Sequence, residues 1–158
     1  MLALHSLSKR SNLAGGRIGF YAGDAALIAE LGERRRELGL VVPGPMQAAG
    51  ATAWSDQQHV TEQRERYLRR LERLAEAAVS AGCFDVRLPE GGFYLWLDVG
   101  DDDRAAVATL AGAGVLVQPG SIYGAAGAGR VRLAAVRPDA RRLEALRGVL
   151  AGGAGLRR

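Results

Sequence analysis

The sequence has one cysteine, Cys83, so no disulfide can form within the chain. With only two histidines, His5 and His59, it has no cluster suited to zinc, and no metal site is expected. Long apolar runs are also missing. None approaches the roughly eighteen residues of a membrane span, and the amino terminus lacks a basic stretch leading into a hydrophobic signal core. No membrane partner is expected, and the cytoplasm is the default compartment. Aromatic residues make up only 6% of the chain, and its arginines are interleaved with glutamates, as in Glu62, Arg64, Glu65, Arg66, Arg69 and Glu72. That pattern is a solvated helix face, so despite a net charge of +4 no nucleic-acid partner is expected.

The scarcest charged residue is lysine. Of the 21 basic residues only Lys9 is not an arginine. A guanidinium stays protonated and cannot condense with a carbonyl, whereas an ammonium can lose its proton and act as a nucleophile. Keeping one lysine in so arginine-rich a chain points to a need for an amine there; chance is the bland alternative. Lys9 ends the run Ser6-Leu7-Ser8-Lys9 and is followed eight residues later by Arg17. A strand over residues 2–8 would put Ser6 and Ser8 on one face. The turn-prone stretch from Asn12 to Gly16 would then fold the chain back into a strand over 17–22, bringing the Arg17 guanidinium near the two hydroxyls. Two hydroxyls and a planar cation suit a phosphate.

These residues resemble the class I/II, fold type I, pyridoxal-phosphate aminotransferases, in which Ser-x-Ser-Lys, seven residues and Arg form one segment. The resemblance implies that Lys9 is the Schiff-base lysine, that Ser6, Ser8 and Arg17 hold the phosphate of pyridoxal 5′-phosphate, and that the full-length form is a homodimer. The longer string from His5 to Gly15 is similar to the actinobacterial branch of N-succinyldiaminopimelate aminotransferases, which implies a role in lysine biosynthesis. The fold so implied is α/β, the carboxyl-terminal part of a fold type I aminotransferase: an edge of the large-domain sheet followed by an α+β small domain. Residues 1–45 would close the large cofactor-binding domain, 46–151 would form the interdomain helix and small domain, and 152–158 a flexible tail.

Of 158 residues, 48% are hydrophobic, enough for a substantial core in a chain of single-domain size. A helix is predicted over 25–40, carrying Leu27, Ile28, Leu31 and Leu38 together with a solvated Arg34-Arg35-Arg36. The prolines at 43 and 45 force a break, and helix resumes near Met46. In the resembled family this break lies near the active site of the neighbouring subunit, which implies Gln47 as a site candidate; its ordinary role would be helix surface. Ser55 to Gln58 fits a capping box opening the longest helix. Val60, Tyr67, Leu68, Leu71, Leu74, Ala75, Ala78 and Val79 make its apolar stripe, His59 lies on its surface, and Gly82 ends it. Strands are predicted over 84–88, 93–99 and 115–118, and helices over 103–113 and 138–150. In the second of these strands apolar residues on both faces imply cover on both sides.

Pro119 to Gly124, followed by Gly129-Arg130-Val131-Arg132-Leu133-Ala134, resembles the family segment that ends in the arginine gripping the substrate α-carboxylate. Arg130 and Arg132 share a strand face, and Arg132 is preferred because it fits the Val-Arg-Leu-Ala form; both could instead line the rim. Tyr123 would wall the substrate pocket or simply pack. In the family, the aromatic that stacks on the cofactor ring, the acid that pairs with its pyridine nitrogen and a further phosphate ligand lie upstream of the lysine. Only eight residues precede Lys9. The resemblance thus covers about the last two-fifths of such an enzyme, and the chain is taken for a carboxyl-terminal portion. The implied substrates are small amino acids and 2-oxo acids. The alternatives are another aminotransferase of the alanine, aspartate or kynurenine type, or a non-catalytic fragment that only binds a partner.

Overall fold

The computed structural model describes residues 1–82, 86–136 and 139–152. The chain divides into two units, Met1–Arg64 and Glu65–Arg158.

The first unit opens with β1 (Leu2–Ser6), the one-turn helix α1 (Leu7–Arg10) and β2 (Gly19–Gly23). The strands pair antiparallel, Leu2 opposite Gly23 through Ser6 opposite Gly19. Both are shorter than the sequence predicts. Ser6 ends the strand and caps α1, its Oγ accepting from the Ser8 N–H at 3.1 Å, so Ser8 sits in a helical turn and does not share a strand face with Ser6. At the other strand, Arg17 takes a left-handed conformation (φ 50°) that closes a 3-10 turn over Ala14–Gly16, and pairing starts only at Gly19. One further ladder bond, from Leu7 N–H to the Ile18 carbonyl at 3.1 Å, keeps Arg17 at the same end of the hairpin as Ser8.

Asp24 caps α2 (Ala25–Glu37), its Oδ1 accepting from the N–H groups of Ala26 and Leu27. The helix stops short of Leu40 because Gly39 turns left-handed (φ 68°) and the N–H groups of Leu38, Gly39 and Leu40 take the carbonyls of Arg34, Arg36 and Arg35. Its Leu27 and Leu31 are exposed. Arg34 and Arg36 pair with Glu37 and Glu33 on the surface. The break at Pro43 leads into α3 (Gly44–Ser55), which has Pro45 in its first turn, where a missing N–H costs nothing. The expected capping box does not form. Ser55 remains in α3 and donates to the Ala51 carbonyl, while the Asp56 carboxylate, a stronger acceptor, takes the His59 N–H at 3.2 Å and caps α4 (Gln58–Ser80). Little is buried here: Leu7 and Ile18, packed where Gly50 leaves room, since a Cβ at Gly50 would come within 2.9 Å of Ile18 Cγ2.

The second unit holds a three-stranded antiparallel sheet in the order β3 (Tyr94–Asp98), β5 (Arg130–Ala134), β4 (Gln118–Pro119), with α5 (Asp103–Gly112) before β4 and α6 (Ala140–Ala151) after β5. Leu95, Leu97, Val131 and Leu133 turn one sheet face into a core completed by Leu71, Leu74, Ala77 and Ala78 of α4, Ala106 and Leu110 of α5, and Leu143, Leu146 and Leu150 of α6. The apolar stripe of α4 is narrower than its sequence suggests, because Leu68 and Val79 are exposed. Gly82 (φ 90°) follows the helix as expected. The opposite sheet face is only partly covered: Tyr94 and Trp96 are half-buried and Asp98 is exposed, correcting the expectation of cover on both sides. The strand predicted over 84–88 begins in residues outside those described, and Val86 to Leu88 form no strand. Pairing at β4 is confined to Gln118 and Pro119, later than predicted, because those are the residues that meet Arg132 and Val131. The predicted start of the last helix at Pro138 also lies outside the described residues, and α6 is capped by Asp139. Among the described residues no helix is long and apolar enough to cross a membrane.

Candidate active site

In the first unit the hairpin gathers Ser6, Ser8, Lys9 and Arg17 at one end. Ser6 caps α1 by accepting a hydrogen bond, so its own hydroxyl proton remains available to an anion. Ser8 is half-buried, and Lys9 and Arg17 are exposed. Among the described residues the Arg17 guanidinium makes one hydrogen bond, from Nη1 to the Ala14 carbonyl at 3.1 Å, using one of its five donors. The left-handed backbone of Arg17 costs about 1–2 kcal/mol for a residue with a Cβ, a strain that accumulates at functional positions. Gln47 donates to the Val42 carbonyl at 2.7 Å and so braces the proline break.

The second unit holds Arg130, Arg132 and Tyr123. Arg130 and Arg132 share the partly open face of β5 while Val131 and Leu133 are buried, as the alternation requires. Their surroundings differ. Arg130 is exposed, whereas the Arg132 guanidinium lies over the Tyr94 ring (4.2 Å) and the Tyr123 ring (5.2 Å) and donates to Gln118 Oε1. Tyr123 donates to the same oxygen at 2.6 Å and stands edge-on to Trp96. Two rings and one amide oxygen thus fix a cation whose remaining donors suit a carboxylate.

The segment carrying Tyr123 is itself anchored. Asp103, buried at 5% exposure, accepts from Ser121 N–H at 2.6 Å and from its hydroxyl at 3.2 Å. Gly120 and Gly127 pack backbone to backbone: a Cβ on either would overlap the other's carbonyl oxygen. Sequence reasoning missed Tyr94, Gln118 and Asp103. Tyr94 and Gln118 were recoverable only through the register that sets both against β5, Gln118 directly opposite Arg132. Asp103 is one of three consecutive acids at the start of α5, and nothing in that run distinguishes it.

The family model for aminotransferase class I and II matches residues 1–148. The chain belongs to the class I and II aminotransferases. It is 47% identical to a probable aminotransferase of Mycobacterium tuberculosis over 89% of its length, and 48% identical, again over 89%, to the 4-dedimethylamino-4-oxo-anhydrotetracycline transaminase OxyQ of Streptomyces rimosus. An aminotransferase from Neisseria meningitidis has the same fold, with a TM-score of 0.83 and 36% identity across 95% of this chain. The chain spans 34% and 39% of the two relatives and 40% of that structure.

Members of this aminotransferase family depend on pyridoxal 5′-phosphate, and the donor set at the hairpin end fits such a group. It offers two hydroxyls and a guanidinium for a phosphate, with an amine next to one of the hydroxyl-bearing residues.

Proposed function

We propose that this chain is the carboxyl-terminal part of a pyridoxal-phosphate-dependent transaminase, with Lys9 as the attachment and proton-transfer residue. The observation that carries this is the placement of the only lysine on a capped turn beside Ser6 and Ser8, at the hairpin end to which Arg17 returns. When bound, the cofactor supplies an aldehyde and an electron sink. Ser6, Ser8 and Arg17 hold its phosphate. Lys9 Nζ would hold the cofactor through its aldehyde carbon and, as a free amine, would move the proton at the substrate α-carbon. Arg132 grips the α-carboxylate of the amino acid or 2-oxo acid, and Tyr123 walls the pocket. In this reading residues 1–45 belong to the cofactor-binding domain, residues 46–151 to the interdomain helix and small domain, and the full-length form is a homodimer.

For the substrate pair we propose N-succinyl-LL-2,6-diaminopimelate with 2-oxoglutarate. Support comes from the Ser-Lys-Arg-Ser-Asn-Leu-Ala-Gly string and from 36% identity to an LL-diaminopimelate aminotransferase of Dehalococcoides mccartyi over 87% of the chain. The higher identity to OxyQ favours a second reading, in which the acceptor is a ketone on a polycyclic scaffold.

Borohydride reduction of the cofactor-loaded protein followed by peptide mapping should place the label on Lys9; a label elsewhere removes the assignment. In the full-length form, glutamate with the succinylated keto acid should be the better pair, and equal or better turnover with pyruvate, oxaloacetate or a polycyclic ketone would reject the substrate while leaving the reaction class intact. In the same assay Arg132→Ala should lose at least about a hundredfold more activity than Arg130→Ala, as removing one partner of a charged hydrogen-bonded pair does. The opposite order would move the carboxylate site two residues upstream.

A further inference from the structure

Sequence reasoning leaves His59 on a helix surface, but the structure places it in a chain of hydrogen bonds. Its ring Nδ1 lies 3.0 Å from Asp56 Oδ2, and its Nε2 lies 2.9 Å from Ser11 Oγ. The imidazole is only 32% exposed. Asp56 also accepts the His59 backbone N–H through Oδ1, and these bonds hold its carboxyl below the usual carboxylate range.

We propose that Asp56, His59, Ser11 and Arg10 form a tether that positions the Lys9 amine, an inference that rests on the role given to Lys9 above. A carboxylate can only accept, so Asp56 assigns the proton of the neutral ring to Nδ1 and leaves Nε2 as an acceptor. With the ring neutral, Ser11 donates its hydroxyl proton to His59. Ser11 is the residue that ends α1, its N–H donating to the Leu7 carbonyl at 3.0 Å. The preceding residue is held to the same region: Arg10 Nη1 donates to the Ala53 carbonyl at 3.0 Å, Nη2 donates to Gln57 Oε1 at 3.1 Å, and the guanidinium lies 4.5 Å over the Trp54 ring. Both residues that follow Lys9 are thus fixed to the end of α3 and the start of α4. A single helical turn does not recover its nucleation cost from its own hydrogen bonds, so external anchors decide whether α1 keeps its shape. The amine stands on that turn.

An acid, an imidazole and a serine hydroxyl in line also describe a hydrolytic triad. That chemistry needs backbone donors for an oxyanion, and here the N–H groups of Ser11 and Leu13 both go to the Leu7 carbonyl. The orienting half of the arrangement is present, and its object is the turn.

The test compares His59→Leu, which removes both ring contacts, with His59→Gln, which keeps a donor and an acceptor. Deuterium exchange at the Ser11 and Leu13 amides should rise at least about tenfold in His59→Leu, the loss of one hydrogen bond's worth of restraint, while amides of β3 and β5 keep wild-type rates. Attachment of pyridoxal 5′-phosphate, read from the visible band that Lys9→Ala lacks, should weaken about tenfold in His59→Leu and recover at least half of that loss in His59→Gln. Unchanged exchange and an unchanged band in His59→Leu would overturn the proposal, as would a His59→Gln protein as impaired as His59→Leu. A wild-type protein with no Lys9-dependent band would refute the functional reading instead, and the exchange comparison alone would then decide whether the tether exists.

Discussion

Burial is divided unevenly between the two units. The first buries two hydrophobic side chains, Leu7 and Ile18, and leaves Leu4, Phe20, Leu27 and Leu31 exposed. The second closes helices and a sheet around a core that runs from Leu71 to Leu150. Two-stranded sheets are marginal by themselves, so β1 and β2 depend on caps, on the small cluster at Gly50 and on the hydrogen bonds around His59. The second unit derives its stability from apolar area removed from water. The residues proposed to hold the cofactor therefore stand on the less supported part of the chain, which makes local hydrogen bonds unusually consequential there.

Amide exchange tests this contrast most strongly. Protection at Leu95, Val131 and Leu133 should exceed that at Ala3 and Ala22 by at least about a thousandfold, since opening free energies run from near zero to the global value. Equal protection would erase the distinction between the units. Next in size is a pair of truncations. Leu97→Ala, at a side chain 1% exposed, should cost about 3 kcal/mol in denaturant melts, while Leu27→Ala, 46% exposed, should stay within about 0.5 kcal/mol. Arg17→Gly separates strain from function within the first unit. Relief of the left-handed backbone opposes the added freedom of the unfolded chain, so stability should change by less than about 1 kcal/mol, while cofactor affinity falls at least about tenfold.

The smallest effect concerns acid. Because the His59 backbone N–H, and then its ring, hold the Asp56 carboxyl below its usual value, the stabilisation is present at neutral pH and is lost as pH falls below the ordinary carboxylate range. Asp56→Asn should flatten that limb in a pH series of thermal melts.

Residue type and alternation were more legible than element ends and long-range partners. Lys9, Ser6, Ser8 and Arg17 stand out by residue type and spacing, and the alternation of Arg130, Val131, Arg132 and Leu133 reads directly as one buried and one open face. Element ends were harder, because they depend on which side chain wins a backbone N–H. Ser6 ended a strand by capping a turn, and Asp56 displaced Ser55 as the cap of α4. Gln118 and His59 were illegible for another reason. Their roles come from partners fourteen and forty-eight residues away, set by strand register and by the packing of the first unit.

Gly120 and Gly127 leave no slack for change by single steps. Enlarging either residue drives it into the other's carbonyl, and the neighbour cannot yield by becoming smaller, since it has no side chain to give up. The ends of the segment that carries Tyr123 are therefore closed to gradual variation, by evolution or by design. Any retuning of the substrate contact proposed for Arg132 and Tyr123 has to be made with the side chains between those glycines, residues 121–126, or with the strand residues they cover.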